Sequence, residues 1–388
     1  MQQFRAQALN AREAAAQLGI GVRHFYDLWQ QYLLAVSRRQ QQRWRPGPSG
    51  GAHRQAWPVA AQKLVRKLLS ARPPAPYSFA ASELHRRLAW KVDRASVRRW
   101  AIRHGLATRP APEKEALPVR RWQTQQVGQL WQDDASPHRW LGEHEPACAL
   151  LELIDDHSRV MPGVRLYPRE TLLAHLEFLG DTFRAVGLPL CLYVDYHSFF
   201  FTATPEALTQ LGAALHFYEV SLDYAPTPQA KGKIERAHQF WQKRLPALFA
   251  AEAITRIELA NPWIEQLRRH HNRHEHHREI DMKPQAAWNL AQKEQRCVLR
   301  AAPRCRWWPY VFSVRTVVKV GSDGRVAVGT QRLRIARPVG SKVVRCQHPN
   351  GDISVLREGP AHGKRPEVLL HCPAGRSSAG LTAQKVQV

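Results

Sequence analysis

Residues 230–238, Ala-Lys-Gly-Lys-Ile-Glu-Arg-Ala-His, place one carboxylate among several cations. Apolar residues recur around Glu235 at helical spacing, so we predict a helix that begins near Lys233. Lys231, Lys233 and Arg236 flank Glu235, and such a site could hold a negatively charged partner close to an acidic group. The alternative is a surface glutamate among solvated lysines.

Two further segments carry aspartates. Residues 130–138 read Leu-Trp-Gln-Asp-Asp-Ala-Ser-Pro-His, and residues 191–198 read Cys-Leu-Tyr-Val-Asp-Tyr-His-Ser. In the second segment an apolar run stops at Asp195, which is typical of a carboxylate at the end of a buried strand. In order, the three segments resemble the Asp-Asp-Glu catalytic core of insertion-sequence transposases and retroviral-type integrases. The matching patterns are Trp-Gln-x-Asp, strand-Asp-x-x-Ser and Lys-Gly-x-x-Glu-Arg.

The resemblance implies a ribonuclease-H-like core that cuts and joins DNA phosphodiesters. It implies that Asp134, Asp195 and Glu235 are the catalytic residues, and that these carboxylates bind Mg²⁺ (or Mn²⁺). Two divalent ions about 3.5–4 Å apart serve such displacements by activating one oxygen and stabilising the other. Three neighbouring carboxylates also repel one another, which favours bound cations. Lys231 and Lys233 are candidate phosphate contacts, with solvated lysines as the alternative.

The adjacent aspartates of the first segment need a choice. Neighbouring side chains of a strand face opposite ways, so only one of Asp133 and Asp134 can point into the site. Asp134 occupies the aspartate position of Trp-Gln-x-Asp, and we predict that it is the catalytic one. The second segment has Asp195-Tyr196-His197-Ser198 where many relatives have Asp-Asn-Gly-Ser, so the loop differs while the aspartate and serine are kept. The pair Asp155-Asp156 is typical of a turn.

The elements that must position these residues can be placed along the chain. Apolar runs predict strands at 131–135, 148–154, 160–167, 190–194 and 214–220, and helical spacing predicts helices at 171–186 and 205–211. This order agrees with the mixed α/β core that the resemblance implies for residues 127–290.

The N-terminal part predicts two DNA-binding modules. Residues 1–37 show two short helices around a glycine turn, which is typical of a helix-turn-helix. Residues 57–107 predict a second helix-turn-helix, and its last helix carries basic residues. Its candidate DNA contacts are Arg98, Arg99 and Arg103, which could meet phosphate or base edges. A basic solvent face is the alternative.

The remaining segments are linkers, a β domain and a tail. Residues 38–56 predict a flexible basic linker, and residues 108–126 predict a second linker. Alternating runs within residues 305–360 predict a small all-β barrel. The resemblance implies that this barrel binds DNA backbone beside the core, with a role in folding alone as the equal alternative. Residues 361–388 predict a disordered tail.

Composition narrows the class of partner. The 388 residues include 57 Lys and Arg against 32 Asp and Glu, a net charge of +25. Such a charge implies a polyanion or a membrane surface. We expect no membrane span, since no run of about 18 apolar residues occurs. The N-terminus shows no apolar signal region, and the six cysteines form no C-x-x-C pair, so we expect nucleic acid as partner in the cytoplasm.

Five histidines lie close together at His270, His271, His274, His276 and His277. They suggest zinc, but their spacing matches no common structural zinc signature and no cysteine accompanies them. We therefore favour a basic, partly solvated segment that packs on the core, with metal binding as the alternative.

The resulting hypothesis is a multidomain DNA transposase or integrase. It would bind double-stranded DNA, both element ends and target, as a homo-oligomer, with helix-turn-helix modules recognising terminal repeats and the core cutting and joining strands. One alternative is a catalytically silent, domesticated DNA-binding protein, and the presence of all three acids argues against it. Another is a ribonuclease-H-like nuclease, against which the helix-turn-helix modules and the Lys-Gly-x-x-Glu-Arg motif argue.

Overall fold

The computed structural model describes residues 1–38, 44, 56–106, 123–196, 198–201, 208–225, 232–329 and 331–374. Most of both predicted linkers, together with Lys231, His197 and residues 375–388, lies outside the described residues. The chain divides into two units, Met1–Pro58 and Val59–Val388.

The first unit contains the predicted pair of helices. Its helices are α1 (Gln2–Arg5), α2 (Ala11–Gln17) and α3 (Val22–Ser37). A capping box starts α2, because the Glu13 N–H donates to the Asn10 side chain and the Asn10 N–H donates to the Glu13 carboxylate, each at 2.9 Å. The connection to α3 passes through Gly19, whose φ of 65° suits glycine. Ala14, Ala15 and Phe25 form the small core between the helices.

Three more helices open the second unit. They are α4 (Val59–Leu69), α5 (Tyr77–Leu88) and α6 (Arg94–Arg103). Asp93 caps α6 by accepting a hydrogen bond of 2.6 Å from the Ser96 N–H. Buried apolar residues on all three helices form their common core. The helical character predicted for residues 57–107 is thus present.

A five-stranded mixed sheet forms the centre of the second unit. Its strands are β1 (Leu130–His138), β2 (Cys148–Asp155), β3 (Val164–Tyr167), β4 (Cys191–Val194) and β5 (Ser221–Tyr224), in the order β3-β2-β1-β4-β5. β1, β2 and β3 are antiparallel neighbours, whereas β4 runs parallel to β1 and β5 parallel to β4. The predicted mixed sheet is therefore confirmed.

Helices cover the sheet. They include α7 (Leu172–Val186), α8 (Gln210–Phe217), α9 (Gly232–Gln242), α10 (Leu245–Glu252), α11 (Ile257–His274) and α12 (Pro284–Lys293). The prediction of a strand at residues 214–220 was wrong, since α8 extends to Phe217 and β5 begins only at Ser221. A short apolar run does not distinguish a buried helix from a buried strand. No helix in the described parts of the chain is long and apolar enough to cross a membrane.

The C-terminal part follows the short helix α13 (Trp308–Val311). Its strands are β6 (Val314–Lys319), β7 (Arg325–Val328), β8 (Gln331–Arg334), β9 (Lys342–Gln347), β10 (Ile353–Leu356) and β11 (Val368–Cys372). They form a four-stranded sheet, β11-β10-β9-β6, and a separate hairpin, β7-β8. The two share one apolar core, but among the described residues they do not close into the predicted barrel.

The strand β11 lies inside the predicted disordered tail. It pairs antiparallel with β10, and Leu370 is buried in the shared core. The surrounding sequence is polar and contains proline, but it includes the short apolar run Val-Leu-Leu. This run forms the edge strand of the four-stranded sheet. The predicted boundary at residue 361 is therefore too early.

Candidate active site

The helix that carries Glu235 packs on one face of β1 and β2. Its buried residues are Ile234, Ala237, His238 and Trp241. The Trp241 indole N–H donates to Glu152 Oε1 at 2.9 Å, and the Gln242 amide donates to Ser136 Oγ at 3.3 Å. Ser136 and Asp134 are two residues apart on β1 and so share a face. The Asp134 face of the sheet is therefore the face that α9 covers.

Asp134 lies in a small polar cluster on that face. It is directly opposite Glu152 in the β1–β2 register. His238 Nδ1 lies 3.6 Å from Asp134 Oδ2, and His238 Nε2 lies 3.6 Å from Glu152 Oε2. Glu235 is three residues before His238, and residues at this spacing are neighbours on a helix surface. The side of α9 that carries Glu235 and His238 therefore faces β1 near Asp134. Glu235 lies in the first turn of α9, and its side chain is exposed.

Asp195 directly follows the strand beside β1. In the parallel pairing, Trp131 is opposite Leu192 and Gln132 is opposite Tyr193. Two residues beyond Gln132 and Tyr193 stand Asp134 and Asp195. The exposed Asp195 is thus at the carboxyl end of a buried strand, as predicted, and next to the strand of Asp134.

The three acids do not form a preassembled metal centre in this structure. Within the described ranges, no group of three or more His, Cys, Asp or Glu side chains is arranged to hold a metal ion. The donor chemistry nevertheless fits Mg²⁺, because Mg²⁺ takes oxygen ligands and is usually held by one or two carboxylates with water. The catalytic and metal-binding roles of Asp134, Asp195 and Glu235 stay predictions.

Asp133 points to the opposite face of the sheet. Its side chain is fully buried, and His175 Nδ1 on α7 lies 3.8 Å from its Oδ2. His175 Nε2 in turn lies 3.1 Å from Glu170 Oε1. The alternation expected of a strand thus separates the two adjacent aspartates, and it is Asp134 that faces α9.

Lys233 has a carboxylate partner that the sequence analysis did not anticipate. Its ammonium bonds Asp156 Oδ1, and its side chain is only 14% exposed. Asp156 Oδ1 also accepts from the Gln132 amide at 3.0 Å, and Asp156 Oδ2 accepts from the Thr124 N–H at 2.8 Å. Asp156 thus ties α9 to β1. The phosphate contact predicted for Lys233 stays a prediction.

Asp155 builds the turn, as predicted. Its Oδ1 accepts from both the N–H and the hydroxyl of Ser158, at 2.7 and 2.6 Å. Its Oδ2 accepts from the Gly128 N–H at 2.8 Å and from the Trp131 indole N–H at 3.1 Å. A fully hydrogen-bonded buried carboxylate of this kind fixes the β2–β3 connection next to β1.

Glu152 is the acid of this site that the sequence analysis missed. It is fully buried, and burial raises the pKa of its carboxyl group well above the ordinary value of 4.5. The hydrogen bond from Trp241 opposes this shift, and the nearby Asp134 adds to it. The available signal was an acid in the middle of the apolar run at residues 148–154, where a charged side chain is rarely buried without a partner.

Glu152→Gln should make stability less sensitive to rising pH. Between pH 4.5 and the raised pKa, the folded protein keeps the Glu152 proton and the unfolded chain has lost it. The free energy of unfolding therefore falls as pH rises through that window, and glutamine removes this contribution. Glutamine also keeps an acceptor for Trp241. Urea unfolding at several pH values measures the effect, as a gain of the variant over wild type that grows with pH.

Glu143→Gln supplies the control for that experiment, because Glu143 is exposed on the same domain. Its unfolding curves should follow wild type at every pH. A Glu152→Gln variant whose advantage over wild type does not change with pH would contradict a buried, protonated Glu152.

The predicted DNA contacts of the second module lie on an open surface. Arg98, Arg99 and Arg103 are all exposed on α6, while Val97, Trp100 and Ala101 bury the other side of the helix. Arg99 donates to Ser96 Oγ at 3.0 Å. The placement is compatible with the predicted role of all three, which stays a prediction, and Lys231 lies outside the described residues.

The mixed sheet has one aspartate on β1, a second directly after the neighbouring strand β4, and a glutamate-bearing helix across β1 and β2, and this arrangement agrees with the transposase and integrase class. No family model matches the chain. The chain is similar to insertion-sequence transposases. It is 28% identical over 236 residues to the protein y4bF of Sinorhizobium fredii, and the name of y4bF places that protein among transposases. The matched region covers 57% of the chain and 51% of the relative.

A second relative is the transposase for insertion sequence IS1202 of Streptococcus pneumoniae. The identity is 35% over 146 residues, or 36% of the chain and 31% of the relative. The chain thus matches about half of one curated relative and about a third of the other.

Solved structures of viral proteins also show similarity. One is from the simian T-cell lymphotropic virus intasome in complex with PP2A regulatory subunit B56 gamma, at 13% identity and TM-score 0.38, covering 76% of this chain and 99% of that chain. Another is the HTLV-2 integrase catalytic core domain in complex with magnesium, at 15% identity and TM-score 0.32, covering 41% and 95%. TM-scores of this size do not establish a shared topology, so the fold is defined by the strand order of this chain itself.

Proposed function

We propose that this protein is a DNA transposase that cleaves and joins DNA strands in a metal-dependent reaction. The observation that carries the proposal is the placement of Asp134 on the sheet face covered by α9, beside the strand that ends at Asp195. The similarity to two transposases supports the same class of activity.

In this proposal Asp134, Asp195 and Glu235 hold Mg²⁺ (or Mn²⁺). The bound ions supply neutralisation of the charge that develops on the phosphodiester. His238 lies between Asp134 and Glu152, so it orients the Asp134 carboxylate toward α9. Glu152 lies directly opposite Asp134 in the β1–β2 register and accepts a hydrogen bond from the Trp241 indole, so its carboxyl group is held by α9 rather than offered to the metal.

The substrate of the proposed reaction is double-stranded DNA. A net charge of +25 favours a polyanion, and the exposed arginines of α6 offer contacts to phosphate or bases. We propose that the two helical modules bind terminal repeats and that a homo-oligomer holds two DNA ends together. The sheet and hairpin of the C-terminal part would contact DNA backbone or serve folding alone.

A strand-transfer assay tests the proposal. The flanking DNA of the gene is sequenced for inverted repeats, and a duplex with that end is supplied in pre-cleaved form together with target DNA. The full chain should join the end to the target in Mg²⁺ or Mn²⁺, and a chelator should stop the reaction. Gel separation of labelled DNA measures the joined product.

The same assay separates the other two hypotheses. A silent DNA-binding protein would bind the end without any new product, and a ribonuclease-H-like nuclease would cut without joining. Either pattern, seen with protein that binds the end DNA tightly, would reject the transposase.

A further inference from the structure

A cleft of about 450 Å³ lies beside α9, and Asp134 is not part of its lining. We name it the α9–α11 cleft, because its walls come from α9, from the end of α11 with the turn that follows, and from the β2–β3 turn. The residues that matter for its chemistry are Arg159, Arg236, Arg244, His271, His277 and Glu279. Its size is within the usual range of ligand pockets.

Several buried polar nitrogens in this cleft lack a hydrogen-bond partner. Arg159 is only 4% exposed, yet its Nε and Nη1 atoms make no hydrogen bond. The ring nitrogens His271 Nε2 and His277 Nδ1 are also buried without a hydrogen-bond partner, and whether each donates or accepts depends on its tautomer. Buried polar groups almost always make a hydrogen bond, and burying a charged donor without a hydrogen bond costs free energy. The unpaired guanidinium N–H groups of Arg159 therefore point to a ligand that accepts hydrogen bonds.

The charge of the cleft selects an anion. Its lining includes five cationic side chains, from Arg159, Lys233, Arg236, Arg244 and Arg278, against two acidic ones, from Glu275 and Glu279. With Lys233 neutralised by Asp156, positive charge still exceeds negative charge. Glu275 is already engaged by Arg244 at 2.7 Å and by His271 at 3.1 Å.

Glu279 occupies the position that an incoming anion would take. Its carboxylate bonds Arg236 and lies 3.6 Å from Arg159 Nε. It thus bridges the exposed arginine of α9 and the buried arginine of the β2–β3 turn. An anion with more acceptor oxygens could replace it, because an arginine fork matches phosphate in a bidentate geometry.

We propose that the α9–α11 cleft binds a phosphate group of a nucleic-acid strand, with Arg159 as its buried anchor, Arg236 as its outer contact and Glu279 as the group it displaces. The identification of that strand as DNA rests on the proposed function. Arg236 follows Glu235 directly on α9, so the phosphate would hold the strand against the helix that carries the proposed catalytic glutamate.

His277 supplies a local reporter. Burial, together with the neighbouring cations Arg159 and Arg236 and the histidines His271 and His276, lowers its pKa from 6.5 to about 4. A bound anion offsets the repulsion by these cations, so phosphate should raise the pKa of His277. NMR titration of the His277 ring, with and without inorganic phosphate, reads this change.

The main test compares ligand affinity among variants of the full chain. Inorganic phosphate and dimethyl phosphate are each titrated at constant ionic strength, with the increase in unfolding temperature as readout. Arg236→Ala and Arg159→Lys should each weaken binding at least about tenfold, since each loses charge-assisted hydrogen bonds. Glu279→Gln should tighten binding because the competing carboxylate is gone. Arg159→Lys keeps the buried charge, which guards against simple loss of folding.

Arg165→Ala is the matched control, because Arg165 is an ion-paired arginine outside the cleft. It should bind phosphate like wild type. Phosphate binding that is equal in wild type, Arg236→Ala, Arg159→Lys and Glu279→Gln would overturn the proposal. So would a His277 pKa that phosphate does not move.

A second arm identifies the source of the phosphate. The salt dependence of duplex DNA binding is measured for wild type and Arg236→Ala, and the slope should fall by about 0.9 for one lost phosphate contact. An unchanged slope, with dimethyl phosphate binding absent and inorganic phosphate binding intact, would assign the cleft to free phosphate and overturn the nucleic-acid part.

The outcome is independent of catalysis. Asp134→Asn should keep the phosphate response, because Asp134 does not line the cleft. Phosphate binding that depends on Arg159 and Arg236 in a protein that never joins DNA would leave the cleft standing and reject the transposase. DNA joining together with a cleft that ignores phosphate would do the reverse.

Discussion

Asp134→Asn is expected to reduce strand joining by at least about a thousandfold. Metal ions at a phosphodiester contribute several kcal/mol of charge stabilisation, and each 1.36 kcal/mol is a factor of about ten in rate. Asparagine keeps the size of the side chain but removes the charge that would hold the metal. Because Asp134 is partly exposed, its replacement should leave the fold and DNA binding intact. The strand-transfer assay measures the loss, and a gel-shift assay checks binding.

Asp133→Asn is the matched control, since it makes the same chemical change one residue earlier. Asp133 is fully buried on the opposite face, next to His175 on α7. The variant should retain joining within about tenfold of wild type, provided that circular dichroism shows it folded. Joining that survives in Asp134→Asn and is lost in Asp133→Asn would mean that the assignment of the catalytic aspartate is wrong by one residue.

The sequence predicted those parts of the core whose local pattern is strong. The strand around Trp131, the apolar run before Asp195 and the helical spacing after Gly232 each appear at the predicted place. These elements depend mainly on neighbouring residues in the chain, so periodicity is sufficient to find them. The opposite directions of Asp133 and Asp134 also follow from strand geometry alone.

Features that depend on distant residues were not predicted. The pairing of Lys233 with Asp156, the buried Glu152 beneath Trp241 and the cleft around Arg159 each join separate segments of the chain. No local pattern encodes such contacts. The arrangement of the C-terminal strands was also not predictable from local pattern. The alternating runs after Val311 predicted strands correctly, but whether these strands form a barrel or a sheet with a hairpin depends on the register between them.

Docking of the second helical module on the core is another such feature. Glu83 on α5 is fully buried and accepts hydrogen bonds from Arg86 at 2.7 and 2.8 Å and from Arg87 at 2.6 Å. Arg87 also donates to Glu252 on α10 at 2.6 Å. Both arginines lie over the ring of Trp263 on α11, at 5.0 and 4.7 Å. The Glu83 carboxylate therefore holds the two arginines that attach α5 to α10 and α11.

Glu83→Ala should destabilise the second unit by about 3–5 kcal/mol. Arg87 keeps its bond to Glu252, but Arg86, whose side chain is only 13% exposed, loses its carboxylate partner, and a nearly buried charge without a partner is the costly case. Glu265→Ala is a matched control, because Glu265 binds Arg268 and Arg269 at the same helical spacing and at 2.6–2.8 Å, but its side chain is 38% exposed. Solvent screens such a pair, so that variant should lose about 1 kcal/mol or less. Urea unfolding followed by tryptophan fluorescence compares the two variants. Equal losses would show that burial of the Glu83 carboxylate does not determine how firmly the module is held, whereas a large difference would show that this buried acid supports the arginines through which α5 contacts the core.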